Sequence, residues 1–222
     1  MDIKKILLVI FLSILNYAIT FSLGYFFSYL LYDRLSETAF IYILSIVYFF
    51  NLLIVLAEWW IIKKYFLKEQ EFTNKINSRA IGNILIVLIP TFLFAGYKLF
   101  TGNLLSFNIN TDFDKIINHI IVYILLMPVI EQIIYGDILF KILIKTKIKI
   151  ALVATIISFL YMLTSMDPYK IDLMYLVYTF IVGMGLFFVR LKNGLFFSIV
   201  AHSLINLVIL FFYLINGNVS HL

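Results

Sequence analysis

Seven runs of roughly twenty mostly apolar residues dominate this chain. They lie near 6–32, 39–62, 80–100, 116–140, 150–166, 173–189 and 195–216. A helix crossing the hydrocarbon core of a bilayer needs about 20 such residues. In that core only helices and closed barrels satisfy their own backbone groups. The runs are too long for barrel strands and lack a barrel's alternation of polar and apolar residues. They predict an all-α fold, a polytopic membrane helix bundle of about seven transmembrane helices. Residues 1–222 read as one membrane domain, with three spans and their loops in 1–115 and a core of four spans in 116–216. Composition removes the soluble alternative. The chain is 64% hydrophobic and 13% charged, against about 25% charged in soluble proteins, so a globule would expose large apolar patches. The absence of cysteine excludes disulfide scaffolds and thiolate metal sites. The first run is too long for a signal peptide, and no small-x-small cleavage site follows it.

Basic residues set the expected orientation. With the N-terminus in the cytoplasm, thirteen fall inside: Lys4, Lys5, Lys63, Lys64, Lys68, Lys75, Arg79, Lys141, Lys145, Lys147, Lys149, Arg190 and Lys192. Four fall outside: Arg34, Lys98, Lys115 and Lys170. These cations are scattered over separate short loops, which excludes a nucleic-acid patch despite the net charge of +5. The stretch 63–79 mixes aromatic and charged residues and reads as an amphipathic piece along the cytoplasmic interface. Trp59 and Trp60 beside it read as interfacial anchors without chemistry. The Phe- and Ile-rich, Lys-biased composition fits an AT-rich bacterial genome, and hence a bacterial plasma membrane.

Acids are scarce, twelve in all, and nine belong to loops. Of the other three, Glu58 adjoins the tryptophan pair at a helix end, where a side chain can snorkel. Asp137 has Lys141 four residues on, a pair of mild structural value. Glu131 lies well inside the hydrocarbon by any registration. An ionisable residue there costs at least ~2.5–3.5 kcal/mol on insertion scales and calls for a partner on another span. Gln132 is the adjacent polar residue, but an α-helix turns it ~100° away. The candidate partner is His202, with Asn206 one turn later on the same face. Counted at ~1.5 Å per residue, Glu131 sits ~8 Å and His202 ~10 Å from the inner boundary. Pro128 frees a backbone carbonyl one turn before Glu131 and kinks its helix.

The succession PVIEQIIYG (128–136), a polar break in the next span and AHSLIN (201–206) resembles the CPBP (Abi, CAAX-protease-like) family of intramembrane peptidases. The resemblance covers roughly 115–210. The family pattern is Glu-Glu-x-x-x-Arg, then Phe-x-x-x-His, then His-x-x-x-Asn/Asp. Here the second Glu is Gln132, the Arg is Gly136, and the middle motif aligns as Tyr161-x-x-x-Ser165. The last motif is intact as His202 and Asn206. Carried over by position, the resemblance implies Glu131 as the base that activates water. Ser165 becomes a poor substitute for the helper histidine, and His202 with Asn206 forms the oxyanion or metal side. Two routes stay open here: a zinc ion held by Glu131 and His202, or metal-free hydrolysis. The implied substrate is a peptide or membrane protein, with maturation of, or self-immunity to, a bacteriocin as the biological setting. A non-catalytic relative that binds a membrane partner is the alternative. A transporter subunit is disfavoured, since no inverted repeat or paired broken helices appear. Counted by rise, Ser165 would lie ~22 Å from the inner boundary, far from Glu131.

Overall fold

The computed structural model describes residues 37–67, 78–101, 113–145, 148–165 and 172–219, together with isolated helical positions between 7 and 22. Every regular element among them is helical. Helix α1 (Glu37–Ile61) runs on into a π-helical turn, Ile62–Leu67, and α2 is Ser78–Phe100. A long composite helix follows. It comprises α3 (Phe113–His119), a π stretch Ile120–Leu126, α4 (Met127–Glu131), a second π stretch Gln132–Leu139 and α5 (Phe140–Lys145). Then come α6 (Ile150–Thr164), α7 (Leu173–Asn193) and α8 (Leu195–Val219).

Five helical segments are long and apolar enough to cross a membrane, and α6 is a shorter apolar helix. The expected first span at 6–32 lies outside the described residues apart from its isolated positions, and so does 68–77 of the expected interfacial piece. The run expected at 116–140 extends further, to a 30-residue apolar segment, Ile116–Lys145. Asp137 and Lys141 do not end the span there, because both are buried within the protein.

Gly194 is the single residue between α7 and α8. Its φ of 98° lies in the left-handed region that favours glycine, and its N–H closes α7 on the Arg190 carbonyl. The chain reverses there. Ser198 Oγ reaches the Leu186 carbonyl at 3.1 Å, whereas twelve residues of continuous helix would hold them ~18 Å apart. Helix α7 sits between two neighbours at close range. A Cβ on Gly183 would stand 3.0 Å from Ser158 Cα of α6, and one on Gly185 2.9 Å from Val87 Cγ1 of α2. Small residues that let backbones approach are the usual device of membrane helix packing, where lipid offers no hydrophobic drive. The core so formed includes Val182, Leu186 and Val189 of α7, Val153 and Ile157 of α6, Ala201 and Ile205 of α8, and Ile130 and Ile133 of the long helix. Leu85, Ile86, Ile89 and Leu93 of α2 remain on the outside, as a lipid-facing stripe requires.

At the opposite end of α7 from Gly194, Asp172 caps the helix by accepting from the N–H groups of Met174 and Tyr175 at 3.0 and 3.1 Å. It also pairs with Lys98 of α2. The Lys98 hydrogen bond, with help from the backbone N–H groups, holds the Asp172 carboxyl below the usual carboxylate range. A folded-state value below the unfolded one means a contribution complete above about pH 4 and lost as pH falls through the lowered value. Asn is as good a cap as Asp, whereas Ala forfeits about 1 kcal/mol. In thermal unfolding of the purified protein in micelles, Asp172→Ala should therefore be less stable than Asp172→Asn. Both should lose the part of the acid sensitivity below pH 4 that belongs to this carboxyl.

Candidate active site

The site is built on the long helix and begins with its backbone. Along Ile120–Leu126 the register is π, and the N–H of Met127 bonds to Val122 O five residues back. The next bond in that register would run from residue 128 to Tyr123 O. Pro128 has no N–H to give, and the amide nitrogen of Asn206 donates to Tyr123 O instead, at 2.6 Å. Asn206 thus ties α8 to the carbonyl that the proline releases. Helix α4 then ends at Glu131, and the second π stretch opens with Gln132. Such π segments recur at functional sites.

His202 of α8 is the hub, with only 2% of its surface exposed. Its Nε2 lies 3.7 Å from Glu131 Oε2, beyond direct hydrogen-bond distance, and 3.0 Å from the Tyr161 hydroxyl of α6. The Tyr161 ring stands edge-on to the imidazole, with centroids 5.5 Å apart. On the other side, His202 Nδ1 is 3.3 Å from Gln132 Nε2. Ser198, one turn before His202, donates to Gln132 Oε1 at 2.5 Å. The Glu131 side chain is 17% exposed, while that of His202 is enclosed.

Glu131 and His202, paired in the sequence by their counted depths, stand side by side. Gln132 is not turned away from them, because the change of helical register at that residue lets both neighbours face one imidazole. Tyr161 joins the site and Ser165 does not. Ser165 closes α6, where its hydroxyl donates to Tyr161 O at 2.9 Å. Ser198 is a member that the sequence reading passed over. Its signal was available, since Ser198, His202 and Asn206 are spaced by four and share a helix face.

A second polar cluster lies further along the long helix, toward the end expected to be cytoplasmic. Asp137, 1% exposed, accepts from Arg190 of α7, from Lys141 at 2.9 Å and from Trp59 Nε1 of α1 at 2.5 Å. Arg190 also donates to Gly136 O at 2.8 Å and stacks over Phe140, 5.3 Å from its centroid. The Asp137–Lys141 pair is therefore part of a buried knot joining three segments rather than a mild local contact. Trp59 is a hydrogen-bond donor in it, not merely an anchor. Arg190 sits inside the protein rather than in a loop.

Residues 113–208 match the model of the family described as type II CAAX prenyl endopeptidase Rce1-like. No curated protein and no solved structure matches the chain. With five helical segments long and apolar enough to cross a bilayer, the chain is a polytopic helical membrane protein, and residues 113–208, less than half of it, are similar to that family. The matched segment contains Glu131, Gln132, Tyr161, Ser198, His202 and Asn206.

The site does not fit a zinc ion. Catalytic zinc takes three protein ligands, as a rule histidines and carboxylates. Glu131 and His202 are of that kind, but no group of three His, Cys, Asp or Glu side chains comes together among the described residues. The groups that surround the pair are a phenol, a primary amide and a hydroxyl.

The buried knot yields a clear expectation. Removing one partner of a buried ion pair costs about 3–5 kcal/mol, whereas removing both costs much less. In denaturation of the solubilised protein, Asp137→Asn and Arg190→Met should each destabilise on that scale. The double variant should lose clearly less than the sum, and additive losses would mean the two groups do not interact.

Proposed function

We propose that the chain is a metal-free intramembrane endopeptidase acting on a peptide or membrane-protein substrate. In this reading the segment 116–216 is the catalytic core. The observation that carries the proposal is the convergence of Glu131, His202 and Tyr161 from three helices inside an apolar bundle. An intramembrane carboxylate is expensive, and here it stands against groups able to hold an oxyanion, not against a cation.

Glu131 takes a proton from water, and the hydroxide attacks the scissile carbonyl carbon. The carbonyl oxygen gains the negative charge and is held by the His202 ring and the Tyr161 hydroxyl. Glu131 then hands its proton to the leaving nitrogen as the carbon–nitrogen bond breaks, which leaves a carboxylic acid and an amine. Asn206 acts at one remove by fixing Tyr123 O, and Gln132 by holding His202. Gln132 and Tyr161 are supporting groups in this scheme, while Ser165 has no part in it. Maturation of a bacteriocin, or self-immunity to one, suits such an enzyme.

The reconstituted protein, challenged with a fluorogenic peptide library, should cleave a subset of sequences. Glu131→Gln should lower turnover by about 10²–10⁴, and Tyr161→Phe by up to about 10²–10³ with little change in KM. Full cleavage by both Glu131→Gln and His202→Ala would exclude this site. Peptide binding without cleavage by the unaltered protein would instead favour a non-catalytic partner-binding role.

The reading also places the basic ends of the helices in the cytoplasm. The cysteine-free chain allows a clean test with an impermeant maleimide on intact cells. Thr101→Cys should be labelled and Lys145→Cys should not until the membrane is opened. The reverse pattern would invert the orientation.

A further inference from the structure

We infer that Gln132 is a positioning residue that locks His202 in its Nε2–H tautomer, making the histidine a hydrogen-bond donor at the reacting side and removing it as a metal ligand there. The inference deepens the proposed hydrolytic role of this site and rests on that reading for its purpose, but not for its test.

The assignment starts at Ser198, whose hydroxyl has one proton. Two acceptors are in reach, Gln132 Oε1 at 2.5 Å and Leu186 O at 3.1 Å, and the nearer takes it. With Oε1 accepting, the other end of the Gln132 amide is an NH₂ group, which only donates. It faces His202 Nδ1 at 3.3 Å, so Nδ1 must carry the lone pair. A neutral imidazole has one N–H, and it is then on Nε2. That N–H faces the Tyr161 oxygen and the Glu131 carboxylate at 3.0 and 3.7 Å. The Tyr161 oxygen can accept it, and the Glu131 carboxylate, though beyond hydrogen-bond distance, favours a proton on that side. A metal would need the Nε2 lone pair, and in this tautomer there is none.

Residue 136 completes the device. A Cβ there would stand 2.7 Å from Gln132 Oε1, closer than real Cβ contacts come, so any side chain at 136 would push the amide from the position it holds against Ser198. Gln132 and Gly136 thus form a unit, and the Arg190 bond to Gly136 O holds the backbone beneath it. A glutamate at 132 would act oppositely, because a carboxylate accepts and would draw the ring proton to Nδ1.

The test is long-range proton–nitrogen correlation of ¹⁵N-histidine protein in micelles at neutral pH, where the chain's three histidines make assignment by His202→Ala direct. The unaltered protein should show protonated Nε2 and bare Nδ1 at His202, unchanged on adding zinc. Gln132→Glu should move the proton to Nδ1, and Gln132→Leu or Gly136→Ala should give a mixture of tautomers. An Nδ1–H tautomer in the unaltered protein, or a zinc-induced shift at Nε2, overturns the inference even where the variants fail to fold. The outcomes separate cleanly from those of the functional proposal. Nε2–H without any peptide cleavage leaves the lock standing and removes the peptidase, while Glu131-dependent cleavage with Nδ1–H does the reverse.

Discussion

The hydrocarbon of a bilayer offers a spanning helix no water to bond to, and most of this architecture follows from that constraint. A polar group in hydrocarbon has no solvent to bond to and costs several kcal/mol unless the protein supplies a partner. Along the helix 113–145 such groups occur at three successive levels: the carbonyl freed by Pro128, the Glu131–Gln132 pair, and Asp137. Each is met by side chains from elsewhere in the chain. Asn206 and His202 come from α8, Tyr161 from α6, Arg190 from α7 and Trp59 from α1. The helices are therefore sorted around one polar seam, and apolar packing fills the space between. The site is not placed on a finished scaffold, because the contacts that make it are among those that decide which helices touch.

Small residues then set the distances. Gly183 lets α6 approach α7 so closely that a Cβ there would also stand 3.2 Å from the Tyr161 ring. The same glycine that seats α6 therefore seats the phenol against His202. Gly136 does the corresponding service for the Gln132 amide. The two π stretches redirect consecutive side chains in a way that a regular helix cannot, so that residues 131 and 132 both serve one imidazole. These are small displacements, but N–H···O hydrogen bonds cluster within about 2.7–3.2 Å, so shifts of this size matter to the network.

The scale of what the sequence disclosed follows the range of the forces involved. The apolar runs marked five of the long helices to within a few residues, because transfer from water to lipid acts on each segment separately. The pairing of Glu131 with His202 was legible through depth, a one-dimensional quantity that a helix converts directly from residue number. Rotation about the helix axis was less so. Gln132 read as turned away because an α-helical angle was assumed, and nothing in local composition signals a π register except Pro128. Arg190 read as a loop cation because charge alone does not reveal a buried partner, although Asp137 was already conspicuous as an acid without a loop. Ser165 holds the place of the helper histidine in the aligned motif, yet it is Tyr161, one turn earlier, that reaches His202. Counting had placed Ser165 too far from Glu131, and that objection pointed the right way.

The separation of the two clusters bears on the chemistry. Arg190 and Lys141 are spent on Asp137, some six residues away from the base, and the groups bonded around His202 are neutral. In the proposed hydrolysis this division is an advantage. The negative charge begins on the Glu131 carboxylate, and as the water proton passes to it the charge appears on the carbonyl oxygen. The site's net charge does not change; the charge only moves a few ångström. A low-dielectric cavity penalises creating charge far more than shifting it, and fixed N–H and O–H dipoles are well suited to receive it because they need no reorganisation. A cation beside Glu131 would hold the charge on the carboxylate and oppose the shift. An oxyanion held by neutral donors, with the cations tied up elsewhere, is the arrangement in which an isolated intramembrane glutamate can act as a base without a metal.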